Sequence, residues 1–96
     1  MTWIKTVPPE QADANLRTYY ETLYRLFPPE YSEEVAAVRR PDGSSDSITA
    51  AHSLLPDAML HAFSTLGALL KPELPLSRRQ HEMIASVVSA QNRCFY

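Results

Sequence analysis

The sequence has 96 residues, a formal net charge of −2 and one cysteine. That length allows one domain, the weak acidic balance argues against a nucleic-acid-binding surface, and a single cysteine excludes an internal disulfide. No apolar run reaches the ~18 residues of a membrane span, and the first residues lack a signal-peptide pattern, so we expect a cytoplasmic protein without membrane contact.

The first half of the chain predicts one long helix followed by less regular segments. Trp3, Ile4 and Val7 would anchor an extended start, and Pro9 suits the first position of a helix. The helix face that follows is formed by Ala12, Leu16, Tyr19, Tyr20, Leu23 and Phe27, and it ends before Pro28-Pro29. After it, Ser32 predicts the start of a short helix carrying Val35, Ala36 and Val38, and residues 39–47 predict a flexible loop.

The second half predicts further helices separated by proline. Asp46 or Ser47 would cap a short helical stretch through Leu55, and Pro56 opens a helix that Pro72 stops. Residues 72–77 form a rigid linker, after which Ser77 and Gln80 match the capping box of a last helix. That helix is predicted to bury Met83, Ile84, Val87 and Val88, with Glu82, Ser86 and Ser89 on its other side and Asn92 as a left-handed terminator. With no run that demands a strand, the fold class is all-α.

Cys94 and Glu82 are the residues most able to carry chemistry. Cys94 is either a small buried apolar residue or a thiol activated by a helix start or a Cys-x-x-Cys pair. Glu82 is either an exposed helix residue or a general base. On one continuous helix the two would lie ~18 Å apart along the axis. A shared site therefore requires a turn near Gln91-Asn92 or a second subunit.

The remaining candidates favour structural roles. His52 and His61 fall on opposite sides of a helix, and His81-Glu82 lacks the spacing of a zinc-binding helix, so no metal site is expected. We expect His52 to hold a corner and the other two histidines to be solvated. Tyr19, Tyr20, Tyr24 and Phe27 read as a core and its rim, and the pairs Arg39-Arg40 and Arg78-Arg79 as solvated surface.

Three stretches resemble the alkylhydroperoxidase D-like, or carboxymuconolactone decarboxylase-like, superfamily, and its peroxidase-related branch in particular. They are the opening segment from Trp3 to Ala12, the segment from Ser47 to Pro56, and above all the run from Leu76 to Tyr96. The pattern of that family is a glutamate, eleven residues, a Cys-x-x-Cys pair and then a histidine. Glu82 falls on the glutamate and Cys94 on the first cysteine, while the other two positions lie beyond Tyr96.

The resemblance implies a helical bundle of which residues 1–96 are the amino-terminal portion, with about three to five helices, completed by further helices or by a homo-oligomer. It implies reduction of a hydroperoxide by a cysteine pair, with a dithiol as reductant and neither metal nor flavin. Glu82 would belong to the proton relay, and Cys94 would be the resolving thiol. Without the second cysteine and the histidine, the chain as given is expected to be inactive as an antioxidant peroxidase.

Two other classes of function stay open. The chain could be a non-catalytic helical module that works by self-association, since the apolar side of its last helix would be partly uncovered. A decarboxylase-type member without the thiol pair is disfavoured by the position of Cys94.

Overall fold

The computed structural model describes residues 3–33, 36 and 48–94. Within these ranges the chain forms three α-helices, α1 (Ala14–Tyr24), α2 (Pro56–Leu69) and α3 (Arg78–Gln91). Short 3₁₀ helices lie at Pro9–Gln11, Pro29–Ser32 and Ala50–His52, and the described part contains no strand. The predicted all-α class is therefore confirmed. None of these helices has both the length and the apolar character that a bilayer crossing requires.

The core lies between α1 and α2. Leu16, Tyr20 and Leu23 of α1 are buried against Met59 of α2, whose exposed fraction is 0%. Phe27 and Phe63 pack around this cluster, and Ala12 joins it from the segment before α1. The aromatic residues of α1 thus form a core and its rim, as the sequence predicts.

The backbone before α1 is attached to this core by two hydrogen bonds. The Tyr20 hydroxyl donates to the Val7 carbonyl over 2.7 Å, and the Val7 amide donates to Ser53 Oγ over 2.8 Å. Tyr20 and Ser53 are buried and Val7 is half-buried, so both bonds are partly shielded from water. Trp3 is 99% exposed and Ile4 is also exposed, so the prediction that they anchor this end is wrong.

Helix α1 begins later than the sequence predicts. Pro9 starts a separate 3₁₀ helix, and the chain is extended at Ala12 and Asp13. The Asp13 carboxylate accepts a hydrogen bond from the Leu16 amide over 2.8 Å, which makes Asp13 the N-cap of α1. This cap divides the expected single helix in two, and α1 ends at Tyr24 rather than near Phe27.

The predictions for the central part of the chain have mixed outcomes. Helix α2 begins at Pro56 as predicted, and the stretch before it is the 3₁₀ helix Ala50–His52. The 3₁₀ helix Pro29–Ser32 ends where a helix was expected to start. Val35, Val38, the loop at 39–47 and both proposed caps at 46 and 47 lie outside the described residues.

Helix α3 stands apart from the α1–α2 core. Its capping box is complete, because Gln80 N donates to Ser77 Oγ and Ser77 N donates to Gln80 Oε1. No residue of α3 is buried, and it does not pack along α1 or α2. The expected burial of Met83, Ile84, Val87 and Val88 is therefore not provided by the described part of this chain, where all four are more than half exposed.

Candidate functional site

Glu82 lies in the second turn of α3, on its polar face. Its Oε1 is 3.0 Å from Arg78 Nη2, one turn earlier, and just over half of the side chain is exposed. Ser86, one turn later, donates to the backbone carbonyl of Glu82 over 2.7 Å. The carboxylate of Glu82 is thus accessible, with a cationic partner on one side and a polar stripe continuing through Ser86 to Ser89.

Cys94 lies at the carboxyl end of the same helix and is exposed. The amide of Cys94 donates to the Ser89 carbonyl over 2.9 Å, and the amide of Arg93 donates to the Ala90 carbonyl over 3.1 Å. Together these two bonds form a Schellman motif, which requires a left-handed residue just after the helix. That residue is Arg93, with φ of 50°, and not Asn92, whose φ of −78° is right-handed. The sequence prediction places the left-handed residue one position too early, at Asn92.

The structure does not bring Glu82 and Cys94 together within one chain. Glu82 and Ser89 are seven residues apart on a continuous helix, which is about 10 Å along the axis. The bond from the Cys94 amide to Ser89 places the cysteine at that far end. Direct proton transfer needs heavy atoms about 3 Å apart, or a single water between them. The turn near Asn92 exists, but it does not fold Cys94 back toward Glu82.

The opposite face of α3 is apolar and open. Met83, Ile84, Val87 and Val88 are between 51% and 61% exposed, and Leu74 and Leu76 of the preceding segment are also exposed. Residues at spacings of one, three and four positions form one continuous stripe on a helix. The helix therefore presents a polar side with Glu82 and an apolar side suited to packing.

The three histidines differ in their surroundings. His52 Nδ1 is 2.8 Å from the Ile48 carbonyl, so His52 holds a corner as predicted, and His61 is exposed. The prediction of a solvated His81 is wrong, because its Nε2 is buried. Within the described ranges, no three or more His, Cys, Asp or Glu side chains are grouped so that they could hold a metal ion.

Sequence reasoning missed the role of Arg78. The guanidinium carbon of Arg78 lies 4.5 Å from the centroid of the Tyr31 ring, while Nη2 of the same group pairs with Glu82. Arg78 is therefore held between two partners, with about a third of its side chain exposed. The four-residue spacing from Arg78 to Glu82 was the available signal for the ion pair. The contact with Tyr31 comes from tertiary structure and has no sequence signal.

Comparisons of this chain with protein-family models, with curated proteins and with solved structures found no match. The resemblance to the alkylhydroperoxidase D-like superfamily consequently stays a prediction from the residues that carry it.

Proposed function

We propose that this chain takes part in the cysteine-dependent reduction of hydroperoxides, with Cys94 as the resolving thiol and Glu82 as a proton relay. The observation that carries the proposal is the exposure of both groups on one short helical unit, α3 and its carboxyl-terminal cap. A resolving thiol must reach a second sulfur, so an exposed position on a fixed turn suits that role.

The proposed reaction uses two thiols. An attacking thiolate takes the terminal oxygen of the hydroperoxide, which breaks the O–O bond, releases an alcohol and leaves a sulfenic acid. The Cys94 sulfur then attacks that sulfenic acid, forms the disulfide and releases water. A dithiol reductant returns both sulfurs to thiols. Because the 96 residues contain one cysteine, the attacking thiol comes from another segment or another chain.

Glu82 would transfer the proton that the departing oxygen requires. The attacking thiol must come close to Cys94, which is far from Glu82 along α3. The proton transfer therefore operates between copies of the chain, or with a segment that lies beside Glu82. A chain extended by a single cysteine adds no such segment, so we expect its reaction to depend on protein concentration.

A single-turnover experiment tests the roles of the thiols. The chain is extended by one cysteine directly after Tyr96, reduced, freed of reductant and given one equivalent of cumene hydroperoxide. We expect a disulfide, seen as the loss of two hydrogens by mass spectrometry, and a dimedone-trapped sulfenic acid when Cys94→Ser is introduced. The unextended 96-residue chain should show no turnover with dithiothreitol. The proposal is wrong if the extended chain accumulates as much trapped sulfenic acid as its Cys94→Ser variant.

We propose self-association through the apolar side of α3 as a second candidate function. Fully burying Met83, Ile84, Val87 and Val88 contributes ~6–12 kcal/mol. About half of that surface is already covered, so association adds ~3–6 kcal/mol per chain and ~6–12 kcal/mol per pair. The cost of association is ~4–15 kcal/mol. The free energy gained by burial and the cost of association are similar, so we expect a reversible dimer that depends on protein concentration.

Sedimentation analysis with matched variants tests this second function. Val87→Lys places a charge in the apolar stripe, whereas Ala85→Lys places the same charge on an exposed position outside it. The wild type and Ala85→Lys should associate as concentration rises, and Val87→Lys should stay monomeric. A wild-type chain that is monomeric and fully folded at every concentration would exclude self-association.

A further inference from the structure

A pocket of about 410 Å³ lies where the carboxyl ends of α1 and α2 meet the start of α3. This volume is within the range of small-molecule sites. Its apolar wall includes Leu26, Phe27 and Leu76. Among the described residues, its charged lining is Arg25, Lys71 and Arg78 against Glu30, with His81 beside them. An apolar wall beside several cations suits an anion that carries a hydrocarbon body.

Arg78 lines this pocket and has an unused donor. Tyr31 and Glu82 fix its guanidinium, yet Nη1 is buried and has no hydrogen-bond partner in the described part of the protein. A buried charged donor without an acceptor is unfavourable. The side chain is therefore already oriented, and an acceptor at Nη1 would stabilise it.

His81 provides a second donor three positions along the same helix. Its Nε2 is also buried and unpaired within the described residues. Residues three apart on a helix are neighbours on its surface, so Arg78 and His81 line the pocket together. The start of α3 adds a favourable field for an anion at this end.

We propose that this pocket binds a small organic carboxylate. The carboxylate accepts hydrogen bonds from Arg78 Nη1 and from His81 Nε2 after the side chains that cover these two atoms move aside. Arg25 and Lys71 add positive charge at the rim, where both side chains are exposed. The hydrocarbon body lies against the wall that contains Leu26 and Leu76. This inference goes beyond the proposed thiol chemistry and does not depend on it.

The test is an NMR titration of the full chain with hexanoate, beside hexanol and inorganic phosphate. We expect saturable shifts with hexanoate at the amides of Leu26, Leu70 and His81, and much weaker effects with the other two probes. If hexanol binds with the same affinity as hexanoate, the role of the cations is overturned. Equal affinity for phosphate would overturn the role of the apolar wall, and no saturable binding of hexanoate would overturn the site itself.

Matched variants separate the pocket from the general charge of the surface. Arg78→Gln should weaken hexanoate binding about tenfold or more, since charge-assisted hydrogen bonds are the strong ones. Lys71→Gln should weaken it severalfold without touching the start of α3. Arg79→Gln removes the same charge from an exposed neighbour that does not line the pocket, and it should bind as the wild type does. Equal weakening by Lys71→Gln and Arg79→Gln would overturn the proposal.

Discussion

Replacing Tyr20 by phenylalanine removes the hydroxyl that ties the backbone before α1 to the core. The ring is 1% exposed and stays buried as phenylalanine, but the Val7 carbonyl loses a donor at 2.7 Å. Leaving a buried acceptor unpaired costs about 1–3 kcal/mol. Because Val7 is only partly buried, we expect Tyr20→Phe to lower the free energy of unfolding by ~1–2 kcal/mol.

Urea denaturation followed by far-UV circular dichroism measures this loss. For a domain of this size it corresponds to a decrease in Tm of about 4–16 °C. Tyr24→Phe is the matched control, because Tyr24 is 44% exposed and its change should stay within about 0.5 kcal/mol. Ser53→Ala removes the acceptor of the Val7 amide, and it should couple to Tyr20→Phe by about 0.5 kcal/mol or more. If Tyr20→Phe and Tyr24→Phe unfold at the same urea concentration, the described attachment does not contribute to stability.

Three further predictions concern pH, the cap of α3 and the α1–α2 contact. Burial raises the pKa of Tyr20 and of Tyr24 above 10.0, so both favour the folded chain while protonated. Their contribution is complete below pH ~10 and is lost as the pH rises through the folded pKa, which should appear as alkaline unfolding. Arg93→Gly should stabilise the cap of α3 by ~0.5–1 kcal/mol, because glycine adopts the left-handed conformation without strain. Gly67→Ala should destabilise by about 1 kcal/mol, since a Cβ there would lie 2.8 Å from the Leu26 Cβ and overpacking exceeds the gain in helix propensity.

Each of these predictions has a measurement that can contradict it. Chemical denaturation from pH 8 to 12 should be flat up to about pH 10 and then decline, and a flat profile to pH 12 would contradict the burial argument. Hydrogen exchange at the last turn of α3 should slow in Arg93→Gly and quicken in Asn92→Gly, because position 92 is right-handed. A Gly67→Ala chain as stable as the wild type would mean that the contact with Leu26 relaxes easily.

Local signals in the sequence predicted local structure well. The capping box at Ser77 and Gln80 and the proline at the start of α2 were readable because the interactions that fix them lie within a few residues. The break at Asp13 was missed because the apolar spacing continues across it, and the aspartate cap overrides that spacing.

Tertiary contacts account for other differences between the sequence predictions and the structure. The stacking of Arg78 on Tyr31 depends on how the start of α3 meets the 3₁₀ helix Pro29–Ser32, and the burial of His81 Nε2 also has no local sequence signal. A Schellman motif normally favours glycine at its left-handed position, and Arg93 gives no such signal, so the position was assigned to Asn92 instead. For the candidate site, the sequence allows either a buried or an exposed Cys94, and the structure has it exposed. The separation of Glu82 from Cys94 follows from the continuity of α3 to Gln91.

The most direct test of the proposed chemistry is the rate at which the cysteine-extended chain forms its disulfide after one equivalent of cumene hydroperoxide. General acid–base catalysis contributes ~10²–10⁴-fold, so Glu82→Gln should slow the reaction at least ~10²-fold. Glu73→Gln, an exposed glutamate in the linker before α3, should leave the rate unchanged. The rate constant of the cysteine-extended chain that keeps Glu82 should also rise with protein concentration. Equal rates for the Glu82→Gln and Glu73→Gln chains would contradict the account.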